Sequence, residues 1–299
     1  MSVLKDRNCL ITGASRGFGA QLTRSFWEAG ANLMLVARSQ EALGTVARSL
    51  PRRIGQQYFL FTADLNQPSA PDAIIAETRK YFQVLDVLVN NAAVQGPVGP
   101  VWKNDWNEWQ AAFHVNLLSP VALCRLCIPW MQERNYGKII NLSGGGGTGP
   151  RPNVSAYATA KAGLIRFSET LAEEARNFCI DVNCMAPGAM NTAMTETLLT
   201  AGKDVVGAKE YEQALKVRDK DGAELVRAAA LCVYLASSAS DGITGKLISA
   251  VWDPWETLQE HAGDLQRTDV YTLRRIVPKD RGLAWGSCRN VECRMKNAE

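Results

Sequence analysis

The chain has 299 residues and carries 33 Lys and Arg against 30 Asp and Glu, a formal charge of +3. This near-balance, with no basic stripe interleaved with aromatics, excludes nucleic acid as an expected partner. Hydrophobic residues make up 46%, enough for a sizeable core, and the length suits one large α/β domain plus an appendage.

The first apolar run, residues 8–12 (NCLIT), is short and ends in glycine, so it predicts a buried strand rather than a signal peptide. A helix is expected over 17–29, a strand over 32–37 (NLMLVA) and a helix over 40–50. A third strand follows at 58–63, a helix at 71–82 and a fourth strand at 85–90. One long helix is expected over 108–134, a strand over 138–143, a second long helix over 154–178 and a strand over 180–186. A helical region then runs over 190–237, before a seventh strand at 246–251. Continuous apolar strands separated by helices predict a doubly wound parallel sheet, a Rossmann fold with helices on both faces. Residues 1–252 fit one domain; 253–299 are polar, arginine-rich and weakly periodic, and read as a C-terminal extension packing on the body or on a partner subunit.

No stretch approaches the roughly 18 apolar residues of a membrane span. Eight cysteines scattered in core-like segments favour reduced thiols and a cytoplasmic chain. Cys124 and Cys127 form a C-x-x-C inside an apolar helical pattern and read as core residues, and no metal is expected. Cys288 and Cys293 leave room for a late disulfide that nothing else argues for.

Thr12-Gly13-Ala14-Ser15-Arg16-Gly17-Phe18-Gly19 joins the first strand to the first helix. Glycines there permit a tight turn and let backbone amides approach a pyrophosphate, which the following helix N-terminus favours. Gly13, Ser15, Arg16, Gly17, Phe18 and Gly19 are therefore candidate cofactor contacts. In NAD-binding folds an acid near the end of the second strand holds the ribose hydroxyls. Here Arg38 stands at that strand end, and with Arg16 it supplies two guanidinium groups suited to a 2′-phosphate, so NADP(H) is the expected cofactor.

Tyr157 and Lys161 lie four apart on a predicted helix, hence on one face. A tyrosine titrates near pKa 10, and a neighbouring ammonium stabilises its anion, making Tyr157 a usable acid–base group. A serine hydrolase reading fails on partners, since His114 and His261 are the only histidines.

The spacing T-G-x-x-x-G-x-G, followed by Asn90-Asn91-Ala92-Ala93 and Tyr157-x-x-x-Lys161, resembles the classical short-chain dehydrogenase/reductase family over residues 5–250. The resemblance implies hydride transfer between a nicotinamide and a ketone or secondary alcohol. It also implies that Ser143 orients the substrate, Lys161 holds the nicotinamide ribose, and Asn116 props a helix irregularity and a water relay. By the same resemblance Asp64 and Leu65 lie near the adenine. Asn91, Ala92 and Ala93 pass beside the cofactor, and Pro187, Gly188 and Thr192 contact the nicotinamide side. Ala93 departs from the usual glycine and narrows that space. The motif set is similar to 3-oxoacyl-carrier-protein reductases, but the close Ser249-Ala250-Val251-Trp252-Asp253-Pro254-Trp255 departs from the glycine-rich pattern. A ketone in sugar or secondary-metabolite chemistry is the alternative substrate class. A catalytically idle NADP(H)-binding regulator, or an assembly subunit using the tail, is the alternative function. Small-molecule substrates, no membrane and a homodimer or homotetramer are expected. Residues 190–222 would carry a substrate lid, and the run Gly144–Gly147 is either a tight turn or a pliable pocket wall. Trp102, Trp106 and Trp109 read as one helical face used for packing or subunit contact.

Overall fold

The computed structural model describes residues 2–218 and 222–285. Seven strands form one parallel sheet in the order β3-β2-β1-β4-β5-β6-β7. They are β1 (Asn8–Thr12), β2 (Asn32–Ala37), β3 (Tyr58–Thr62), β4 (Val87–Asn90), β5 (Gly137–Leu142), β6 (Ile180–Ala186) and β7 (Leu247–Ser249). The helices linking them are α1 (Gly17–Glu28), α2 (Gln40–Arg48), α3 (Ala70–Tyr81), α4 (Trp106–Phe113), α5 (Ser119–Gln132) and α6 (Ser155–Ala175), then α7 (Ala193–Ala201), α8 (Lys203–Val206), α9 (Ala208–Arg218) and α10 (Ala223–Ala236).

The strands are apolar on both faces because each face is covered. Cys9 and Ile11 of β1 join one core with Leu22 and Phe26 of α1 and Leu231 and Leu235 of α10. Leu10, between them, faces the other core, with Ile74 of α3 and Leu123 and Cys127 of α5. This is the two-residue alternation of a strand serving two layers of helices.

Two helical expectations need correction. The single helix over 108–134 is α4 and α5 joined by a π turn at His114–Leu118. The region 190–237 is four helices, broken where Gly202, Gly207 and Gly222 take positive φ. Contrary to the expectation that no stretch approaches a membrane span, Trp106–Gln132 is by length and composition apolar enough to cross a bilayer, with a mean hydropathy of 1.5. In the fold its apolar residues Leu123, Cys124, Cys127, Trp130 and Met131 are buried in the second core. Trp102 lies outside that helix, while Trp106, Trp109 and Phe113 stack along α4 at centroid separations of 5.2 and 5.4 Å.

The described part of the extension packs on the body. Trp255, Leu258 and Leu265 enter the first core. The carbonyl of Tyr271 accepts from the Leu247 amide at 2.8 Å, and Lys246 Nζ donates to the carbonyls of Thr268 and Val270 at 3.0 Å each. Cys288 and Cys293 lie outside the described residues.

Candidate active site

The turn after β1 is shaped by close approach. Gly13 has φ +67°, and a Cβ there would stand 2.8 Å from the Ala92 Cα. A Cβ on Gly19 would strike the Gly13 carbonyl oxygen. Thr12 locks this turn to the end of β4: its Oγ1 accepts from the amides of Asn91 and Ala92, each at 3.1 Å. Asn91 Nδ2 donates in return to the carbonyls of Thr12 at 2.9 Å and Gly13 at 3.2 Å. Ser15 is half-buried and Phe18 buried. Thr192 reaches across from the start of α7, its Cγ2 3.6 Å from where a Gly17 Cβ would lie.

Arg16, Arg38 and Asp64 are exposed beyond the C-terminal ends of β1, β2 and β3. They do not line the cleft that holds the catalytic candidates. Leu65 is buried, and its carbonyl accepts from Ser119 Oγ at 2.6 Å, tying this turn to α5.

A cleft of about 910 Å³ opens at the C-terminal ends of β4, β5 and β6, where an open parallel sheet binds ligands. Ser143, Tyr157 and Lys161 line it, with Phe18, Asn91, Ala93, Pro187, Gly188 and Thr192. Ser143 follows β5 directly, its amide held by the Met185 carbonyl at 2.8 Å. Tyr157 and Lys161 sit one turn apart on α6, with Lys161 Nζ 5.7 Å from the tyrosine ring centroid. The glycine run explains itself sterically: a Cβ on Gly144 would collide with the Tyr157 hydroxyl, and one on Gly147 would stand 2.9 Å from Ser143 Oγ. Asn116 does not line the cleft. It is fully buried at the middle of the π turn, and its amide takes both backbone groups of Val94.

Burial sets the electrostatics. It raises the Tyr157 phenol above its ordinary value, and the cation that opposes this is Arg151. Burial also brings the Lys161 ammonium down to about 8, and its Nζ donates to the Leu142 carbonyl at 2.6 Å. Cys124, buried and held by Asn90 Nδ2 at 3.5 Å, has its thiol pushed up to about 12, and burial raises Cys127 as well.

Several lining residues escaped the sequence reading. Gln95 is 6% exposed, lines the cleft, and its amide nitrogen has no hydrogen-bond partner. Its place just past Asn-Asn-Ala-Ala-Val was the available signal. Arg151 also lines the cleft, and no local spacing marks it; Glu210 comes from the expected lid, and Trp252 and Asp253 from the close that departs from the glycine-rich pattern.

Comparison with known proteins agrees with this geometry. The short chain dehydrogenase family model matches residues 7–202. The 3-oxoacyl-[acyl-carrier-protein] reductase FabG of Chlamydia trachomatis is 31% identical over 247 residues, covering 83% of this chain and 96% of that one. A probable NADP-dependent dehydrogenase of Haemophilus influenzae is 30% identical, covering 75% of this chain and 87% of its own. Among solved structures, a putative NAD(P)-dependent gluconate 5-dehydrogenase from Beutenbergia cavernae with bound NADP superposes at a TM-score of 0.70 with 25% identity, covering 83% of this chain and 96% of that one. The turn at Gly13–Gly19, the strand order and the cleft around Ser143, Tyr157 and Lys161 thus sit in a chain that belongs to the short-chain dehydrogenase/reductase family of oxidoreductases and is similar to the 3-oxoacyl-carrier-protein reductases.

Proposed function

We propose that the protein is an NADP(H)-dependent oxidoreductase that moves a hydride between the nicotinamide and a ketone or secondary alcohol, with Tyr157 as acid–base group. The observation that carries this reading is that Ser143, Tyr157 and Lys161 line one cleft with Asn91, Ala93, Pro187, Gly188 and Thr192. The glycine turn fits a dinucleotide, since side chains at Gly13 and Gly19 would fill the space where backbone must pass closely. Exposed Arg16 and Arg38, with no acid at the end of β2, suit a 2′-phosphate. The NADP-dependent relative and the NADP-bound neighbour support the same choice.

When bound, the nicotinamide supplies or accepts the hydride. Ser143 Oγ donates a hydrogen bond to the substrate oxygen as charge develops there. Tyr157 gives that oxygen its proton during reduction and takes one back during oxidation. Burial keeps the phenol protonated, the form that reduction requires. Lys161 holds the ribose and places a positive charge beside the phenol. The six cysteines among the described residues are free thiols, which supports a cytoplasmic location. Trp106 of α4 and Leu118 of the π turn, both exposed, support a homodimer or homotetramer.

Fluorescence titration with NADPH and NADH tests the reading. Tight binding of NADPH with weak binding of NADH is expected; binding of neither overturns it.

A further inference from the structure

We propose that Arg151 is a positioning residue that couples the α7–α9 cover of the cleft to the acid–base tyrosine, so that docking of the cover sets the charge beside Tyr157. The proposal rests on the reading of Tyr157 as the proton-transfer group.

Three links that fasten the cover come from the four residues 151–154. Val154 is fully buried in a small apolar cluster with Leu198, Val206 and Ala214. Asn153 Nδ2 donates to the Val206 carbonyl at 3.1 Å. Arg151 Nε donates to Glu210 Oε1 of α9 at 2.9 Å, and its Nη2 donates to the same oxygen. This segment runs straight into α6, whose third residue is Tyr157. What fastens the cover therefore also leads into the tyrosine.

Arg151 faces both ways. Its Cζ stands 5.8 Å from the Tyr157 ring centroid, within reach for a cation–ring interaction. The side chains of Arg151 and Glu210 are only 20% and 19% exposed, so the pair is poorly screened by solvent. Five charged residues line the cleft among those described: Lys161 on α6, Arg151 before it, Lys209 and Glu210 on α9, and Asp253 after β7. The loop 144–150, packed on the tyrosine, carries no charge. Lys161 Nζ lies 5.7 Å from the ring on the helix that also carries Tyr157, whereas the guanidinium is held in place by a partner on the cover. A guanidinium there favours the phenolate, and Glu210 offsets part of that charge. A merely structural clamp makes no such distinction between its two partners.

The test uses the NADPH-loaded protein. The Tyr157 pKa is read from the phenolate absorbance, with Tyr157→Phe as the subtracted blank, and from the pH profile of kcat. Arg151→Gln is expected to raise that pKa by about 0.5–1 unit, and Glu210→Gln to lower it by a smaller amount. Arg151→Lys, which keeps the charge, should stay close to wild type; if Arg151→Gln fails to fold, the lowered pKa of Glu210→Gln carries the test, and its absence overturns the proposal. Shifts of the same sign in Arg151→Gln and Glu210→Gln, or no shift in either, overturn the proposal. Turnover retained by Tyr157→Phe would sink the underlying reading instead, and the optical titration reads the effect of Arg151 without turnover.

Discussion

Asn116 closes both backbone groups of Val94: its Oδ1 accepts from the Val94 amide at 3.0 Å and its Nδ2 donates to the Val94 carbonyl at 2.8 Å. The π turn that carries Asn116 brings the side chain to the strand exit, and Gln95 of the cleft follows immediately in the chain. Asn116→Ala would leave two half-buried backbone groups of Val94 without partners. We expect a loss of about 2–4 kcal/mol in urea unfolding, together with a lower kcat. A denaturation midpoint equal to wild type would show that Val94 finds its partners elsewhere.

Tyr157→Phe removes one hydroxyl and keeps the ring. Turnover should fall by roughly 10²–10⁴-fold, while the Kd for NADPH stays within about twofold. A variant retaining most of its kcat would remove Tyr157 from proton transfer.

Arg38→Asp reverses the charge at the end of β2. NADPH binding should weaken about 10–100-fold, with NADH binding unchanged or improved. Equal losses for both cofactors would mean that Arg38 does not meet the 2′-phosphate.

Gly144 has no positive φ, so its backbone accepts alanine, yet a Cβ there meets the Tyr157 hydroxyl. Gly144→Ala is expected to lower kcat by about 10-fold or more by displacing that hydroxyl. The melting temperature should change little. Unaltered kinetics would show that the loop yields freely.

Lys161 is brought down to about 8 by burial, from an ordinary value of 10.5. Below pH 8 the folded protein holds a buried ammonium, which opposes folding. Between 8 and 10.5 the folded lysine is neutral while the unfolded one is still charged, so stability rises with pH across that window. Without cofactor, Lys161→Met should melt higher than wild type near pH 7, and the difference should shrink as pH rises through the window. A gap independent of pH would show that the ammonium is not what costs stability.

Much of this was legible in the chain. Asn8–Thr12 and Asn32–Ala37 are apolar runs punctuated by polar residues and glycine, which is the mark of a strand buried on both sides. The glycine turn and the Tyr157–Lys161 pair are local patterns with a fixed spacing. The π turn was not legible from periodicity, because one extra residue in a turn of an apolar helix leaves the pattern almost unchanged; only the family resemblance, through Asn116, implied an irregularity there. The Arg151–Glu210 pair joins residues 59 apart, across a segment that reads only as mixed charge. The apolar residues of the tail, Trp255, Leu258 and Leu265, are too sparse among polar neighbours to announce a face, yet all three are buried. Pairing that depends on which element lies over which is not written in local spacing.

The way the tail lies along β7 bears on how the chain is made. Tyr271 occupies the outer edge of the last strand, and Trp255 completes a core begun by Cys9 and Ile11 of the first. During synthesis the sheet can therefore assemble early, but its rim stays bare and its interior unsealed until residues near 271 leave the ribosome. A stop codon just after Trp252 would release a nascent chain with a sticky border, destined for aggregation or proteolysis rather than for a shorter enzyme.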